Sequence, residues 1–224
     1  MNEFLFFIHI AAVLGFILFA YRMGSGALSC LVVLQGVLAN IFVVKQMSLF
    51  GWTVTCSDVF AIGGILGLNL LQETWGKEVA SKAINNSFLC LVFFAAMTQI
   101  HLFYEPSLFD GTQKSFELIF SSSLRIVVAS ITAYYIVQKL DVEIFAFLKK
   151  IFSGRLLSIR LLCSLLFSQL IDTVLFSFLG LYGLVESLLD IIVMSYLVKC
   201  VIIASSSTFV ATTKRWIIPE KAQG

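Results

Sequence analysis

Apolar runs of about 18–25 residues, each long enough to cross the hydrocarbon core of a bilayer, recur from one end of this sequence to the other. They fall near residues 4–21, 27–46, 53–71, 85–104, 120–138, 161–182 and 187–211. A chain built this way has few options. In lipid every backbone N–H and C=O must find its partner within the protein, so each run is expected to form a helix and the helices to pack as a bundle. Composition agrees: 59% of the 224 residues are hydrophobic and 12% are charged, where a soluble domain carries about 25% charged residues. The expectation is an all-α, polytopic transmembrane helix bundle of seven spans. The net charge of +2 is too small to imply a nucleic-acid partner.

The positive charges fall on one side of that arrangement. One set of connections and the C-terminal tail receive Arg22, Lys77, Lys82, Lys139, Lys149, Lys150, Arg155, Arg160, Lys214, Arg215 and Lys221, and the other set receives Lys45 and Lys114. Arg125 and Lys199 lie inside spans. Lysine and arginine collect on the cytoplasmic face of membrane proteins, so the N-terminus is expected outside and the C-terminus inside. Shifting the span count to six or eight scatters these charges over both faces. The first run is preceded by MNEF and followed by Arg22, the wrong flank for a cleaved signal peptide and the right one for an N-out helix.

The connections hold little else. Residues 72–84, QETWGKEVASKAI, read as a short amphipathic cytoplasmic segment. Residues 139–160 mix apolar and basic side chains in a way that suits a helix lying on an anionic leaflet. The outer loop 105–119 is the one polar loop of any length on its face. Cys30, Cys56, Cys90, Cys163 and Cys200 all lie in apolar segments without metal-ligand spacing, and read as buried small hydrophobes in a reduced or lipid-facing setting. No cofactor or metal is expected. The sequence has no GxxxxGK[ST] for nucleotide hydrolysis. It also lacks the G-x-S-x-G and paired-aspartate patterns of intramembrane proteases and the carboxylate-rich signature of head-group transferases.

Polar side chains inside the spans need another reason to be there, because a charge at a helix centre costs about 2.5–3.5 kcal/mol on insertion scales. They recur at helical spacing, which gathers them on single faces. Arg160, Ser164, Ser168 and Asp172 follow one another at i+4, with Gln169 adjacent. Ser123, Ser130, Tyr134, Gln138 and Asp141 occupy one arc, and Asp58, Asn69 and Glu73 share a face beside Gly63, Gly64 and Gly67. Gln35 and Asn40 mark the second span, and Lys199 sits near the centre of the last. Asp172 and Lys199 lie at similar depth, so each is expected to relieve the other, either as a structural ion pair or along a substrate path. Arg125 points away from the Tyr134 stripe, near the outer end, where it can snorkel.

Two stretches, RIVVASITAYYIVQKLDVEIFAFLKK (125–150) and CSLLFSQLIDTVLFSFLG (163–180), resemble the queuosine-precursor transporter family, also called the YhhQ or VUT family. The resemblance rests on Arg125, Ser130, Ala133, Tyr134, Gln138, Asp141 and Phe145, then on Ser164, Ser168, Gln169, Asp172 and Thr173. NLLQETWGKEVA contributes Glu73, Gly76 and Ala80, and Asn40 and Lys199 match further polar positions of the family. The likeness covers about residues 27–212. Asn69 stands where the family has an aspartate, and Asp58 on the same face is a candidate replacement for the missing charge.

The resemblance implies a six-helix core similar to the substrate-binding subunits of energy-coupling-factor transporters, over residues 27–212. It would be preceded by an additional N-terminal helix (1–26) and followed by a cytoplasmic tail (213–224). It implies uptake of 7-deazaguanines (preQ0, preQ1 or queuine) across the bacterial inner membrane for salvage into tRNA queuosine. Substrate contacts are then expected from Asn40, Asn69, Glu73, Tyr134, Gln138, Gln169, Asp172 and Lys199, with Asp58, Arg125 and Asp141 as secondary candidates. The base offers N–H donors to Asp172, a carbonyl to Lys199 or Gln169 and a flat ring to Tyr134. For preQ1 and queuine, Glu73, Asp58 or Asp141 could face the amine. A homodimer is compatible with this reading. The competing expectations are a vitamin-binding subunit of an ATPase-coupled system, and a structural or assembly protein whose polar stripes serve packing alone.

Overall fold

The computed structural model describes the backbone of residues 1–55, 57–120, 124–183 and 188–217. Cys56, Ser123 and Lys221 lie outside the described residues, as do the side chains of Lys214 and Arg215. Among the described residues the elements are helical apart from one hairpin: α1 Asn2–Met23, α2 Ser25–Phe42, β1 Gln46–Leu49, β2 Trp52–Thr55, α3 Asp58–Trp75, α4 Lys77–Leu102, α5 Gln113–Phe120, α6 Leu124–Ile151, α7 Leu157–Phe176 and α8 Leu188–Ile217. A five-residue π-helical turn, Ser177–Leu181, prolongs α7.

Two helix pairs are joined by a single residue. Gly24 separates α1 from α2 at φ 113°, and Gly76 separates α3 from α4 at φ 93°. A side chain at either φ would be strained, so glycine is what allows the chain to reverse without a loop. β1 and β2 pair antiparallel with Leu49 opposite Trp52. The intervening Phe50 and Gly51 both have positive φ, 51° and 82°, as the two-residue turn matching the twist of a hairpin requires. Asn2 donates to the Ser48 carbonyl at 2.9 Å, and the Phe50 amide donates to Glu3 at 3.3 Å. The start of α1 therefore holds the hairpin, and this end of the bundle is called the hairpin face below.

Among the described residues five helices are long and apolar enough to cross a membrane: α1, α2, α4, α7 with its π turn, and α8. A sixth is added if α5 and α6 are taken as one bent pair. Seven apolar spans were expected, and α3 is the one that differs. It carries Asp58, Asn69, Gln72 and Glu73, yet every residue from Ile62 to Gln72 is buried. Helices α1, α2, α4, α6, α7 and α8 all pack against it. α3 is polar because it is enclosed by protein. The outer helices show the reverse pattern, with Phe16 and Phe19 of α1, Leu89 and Phe93 of α4, Phe167 of α7 and Leu197 of α8 turned outward. Such continuous apolar exposure is what lipid, and not water, accommodates.

Other local expectations are corrected. Residues 72–84 do not form a separate surface segment: α3 runs through Trp75, and α4 begins at Lys77 and continues unbroken to Leu102. Residues 139–160 do not form a separate surface helix either, because α6 extends to Ile151 and α7 starts at Leu157. The basic, half-apolar ends of long helices have the same composition as helices lying on a membrane. The described cysteines are free, but none is buried: Cys30 is exposed, and Cys90, Cys163 and Cys200 are half-buried.

Candidate functional site: a polar cavity at the hairpin face

The i+4 stripe of α7 organises the interior, and each of its members meets a different helix. Arg160 is fully buried and forks onto Glu73 of α3, with Nη1 to Oε2 at 3.0 Å and Nη2 to Oε1 at 2.8 Å. Two further donors reach the carbonyls of Arg155 and Gly154, and the Phe145 ring lies 5.2 Å from the guanidinium carbon. Lys149 of α6 adds a second cation to Glu73 at 3.1 Å. One and two turns further along α7, Ser164 and Ser168 donate to Asp141 of α6 at 2.6 and 2.5 Å. At the hairpin end of the stripe Asp172 accepts from Lys199 of α8 at 2.8 Å, and Lys199 also donates to Thr173 at 3.1 Å. The mutual relief expected between Asp172 and Lys199 is present as a direct bond.

A cavity of about 430 Å³ opens beside this last pair, within the size range of about 300–1,000 Å³ typical of small-molecule sites. Its polar lining includes Asn40 of α2, Asp58 of α3, Ser130 and Tyr134 of α6, Asp172 and Thr173 of α7, and Asp190, Ser195 and Lys199 of α8. Ser130 donates to Asn40 at 3.0 Å, and Asn40 in turn donates to the Gly36 carbonyl at 3.0 Å. A Cβ at Gly36 would lie 3.1 Å from the Tyr134 hydroxyl. Glycine at this position lets α2 approach the tyrosine closely. Lys199 is 6% exposed and Asp172 is 24% exposed, so the carboxylate keeps an open side.

The sequence-derived candidates therefore separate into two sets. Asn40, Tyr134, Asp172 and Lys199 meet at the cavity, together with Asp58. Asn69, Gln138 and Gln169 are buried away from it, with Asp141, in a second polar layer; both polar atoms of Asn69 and of Gln138, and Oε1 of Gln169, lack hydrogen-bond partners among the described residues. Gln72 of α3 donates to the Val142 carbonyl of α6 at 2.9 Å. Glu73 lies at the opposite face, bound to Arg160 and Lys149. Asp58 and Asn69 share a face of α3 yet serve different layers, because eleven residues of helix separate them by about 16 Å.

Arg125, a secondary candidate for substrate contact, is not part of the cavity lining. It is exposed, and its guanidinium donates to the carbonyls of Leu179 (2.9 Å) and Tyr182 (2.8 Å). The last carbonyls of a helix have no partner within it, and Arg125 supplies one to the end of the π turn. Sequence reasoning did not place Thr173 among the substrate contacts or pair Arg160 with Glu73. The signal for Thr173 was present, since it follows Gln169 at i+4 on the same stripe; the signal for the pair was not, since both residues read as charges of cytoplasmic connections.

Helices with lipid-facing outer surfaces, a buried polar α3 and a cavity with an ion pair in its wall define a multi-pass membrane protein with an internal polar chamber. The family model described as "Putative vitamin uptake transporter" matches residues 55–212, a stretch that includes α3, α6, α7 and most of α8. The chain is also 32% identical over 220 residues to the "Probable queuosine precursor transporter" of Bacillus subtilis (strain 168), covering 96% of each protein. No solved structure matches. The chain belongs to the vitamin uptake transporter family, whose members are membrane transporters and not enzymes.

Proposed function

We propose that this protein imports queuosine precursors, the 7-deazaguanines preQ0, preQ1 or queuine, and that the cavity at the hairpin face is where they bind. The observation that carries this reading is the Asp172–Lys199 pair in the cavity wall. It offers an acceptor and a donor side by side to a flat base that presents adjacent N–H groups and a carbonyl, and Tyr134 lies close by for the ring. An ion pair kept only for packing gains from being closed over, whereas Asp172 stays partly open to the chamber.

In this reading α1, α2, α3, α4, α6, α7 and α8 each cross the inner membrane, with the N-terminus outside and the C-terminus in the cytoplasm. Contacts between helix ends support that alternation. The start of α1 meets the α2–α3 hairpin, and the start of α6 meets the end of α7. At the other face Tyr21 of α1 meets Thr74 of α3, and Lys77 of α4 pairs with Glu143 of α6. The core after α1 would then correspond to the six-helix arrangement of the vitamin-binding subunits.

The test is complementation. A host unable to make preQ0 should regain queuosine-modified tRNA when the chain is expressed and a precursor is supplied. Failure with every precursor, despite normal membrane insertion, overturns the reading.

A further inference from the structure

The charges around the cavity do not balance. Asp58 and Asp172 line it against Lys199, the one cationic side chain among the described lining residues, while Asp190, also in the lining, is already engaged. Lys199 is already committed, bonding to Asp172 and to Thr173, which uses two of its three donors. Asp58 lies within electrostatic reach of Lys199 and Asp172. Even so, no hydrogen bond or ion pair reaches its carboxylate among the described residues, although the residue is only 8% exposed. As the first residue of α3 it sits where the helix N-terminus favours a negative charge.

The other acids that could answer a positive substrate are taken or elsewhere. Glu73 is paired with both Arg160 and Lys149 at the opposite face. Asp141 accepts from Ser164 and Ser168 and does not line the cavity. With Asp190 already engaged, that leaves Asp58 as a buried carboxylate in the cavity lining with no hydrogen bond or ion pair of its own among the described residues, its nearby cation Lys199 being bonded to Asp172. A cleft lined by excess charge of one sign, with low-dielectric walls, concentrates ligands of the other sign.

We infer that the cavity selects a cationic precursor, a deazaguanine carrying a protonated alkylamine, over its neutral counterpart, with Asp58 as the counter-ion of the ammonium. The Asp172–Lys199 pair then meets the polar edge of the ring, and Asp58 reads the substituent. This inference rests on the function proposed above and adds to it a specificity-determining residue.

Calorimetric titration of the purified full-length chain tests it with three ligands: preQ1, whose aminomethyl group is protonated at neutral pH; preQ0, whose nitrile is neutral; and N-acetyl preQ1, which keeps the amine position without its charge. preQ1 should bind the wild type at least about tenfold more tightly than either neutral ligand. Asp58→Asn should abolish that gap. Equal affinities of the three ligands for the wild type overturn the inference, and so does a gap that persists in Asp58→Asn. Should the Asn variant fold poorly, Asp58→Ser carries the same test, and a gap that persists in that folded variant overturns the assignment to Asp58. Absence of binding by every deazaguanine to folded wild type overturns the proposed function, a different outcome from equal binding.

Discussion

The two ends of the α7 stripe hold the same chemistry in different states. At one end Arg160 grips Glu73 through two parallel bonds, gives two more to backbone carbonyls, rests against Phe145 and is fully buried. At the other, three turns and about 18 Å along the helix, Lys199 makes a single bond to Asp172, and that acid remains open to a chamber. An ion pair that is bidentate and further hydrogen-bonded offsets its desolvation and fixes the helices that carry it. One that is matched on a single side keeps capacity for a ligand. The lesson is that charge inside a membrane bundle takes its meaning from how completely it is satisfied, not from its depth.

Substitutions can break this contrast or sharpen it. The largest effect is expected from Arg160→Met, which leaves Glu73 with Lys149 alone and removes the bonds to Arg155 and Gly154. Breaking one side of a buried pair costs about 3–5 kcal/mol, so the variant should be depleted from the membrane and unfold early in a thermal assay in detergent. A normal level and melting temperature would erase the distinction between the two ends. A smaller effect is expected between them, at Gly67. A Cβ there would sit 2.8 Å from Val32 Cγ2, and overpacking of this kind costs about 1–3 kcal/mol. Gly67→Ala should lower thermal stability yet leave precursor affinity unchanged. Altered affinity would mean that the packing of α2 on α3 controls the cavity, and that the two regions are less separate than described.

Much of this was legible in the sequence because helical period is a strong signal. The i+4 spacing of Arg160, Ser164, Ser168 and Asp172 predicted one polar face, and their common depth predicted the Asp172–Lys199 contact, as found. What spacing could not supply was the partner helix of each residue. Glu73 shares a face with Asp58, yet it pairs with Arg160 at the opposite end of α3. Nor could composition distinguish a helix end emerging from the bilayer from a helix lying on it, which is why residues 72–84 and 139–160 were misread. The hairpin was missed because its turn places Phe50 at positive φ, a position where Asn, Asp or Gly is the usual cue. α3 was counted as apolar because its glycines and leucines mask the polar side chains that only a fully enclosed helix can carry.

The central claim is that the open pair at the cavity handles substrate while the closed pair holds the fold. Asp172→Asn tests this most directly, with membrane abundance and precursor-dependent tRNA modification measured on the same cells. The account predicts wild-type abundance and melting temperature with queuosine formation abolished. Loss of the folded protein itself, recovered when Lys199 is also replaced by a neutral residue, would contradict it and make Asp172–Lys199 a structural pair like Arg160–Glu73.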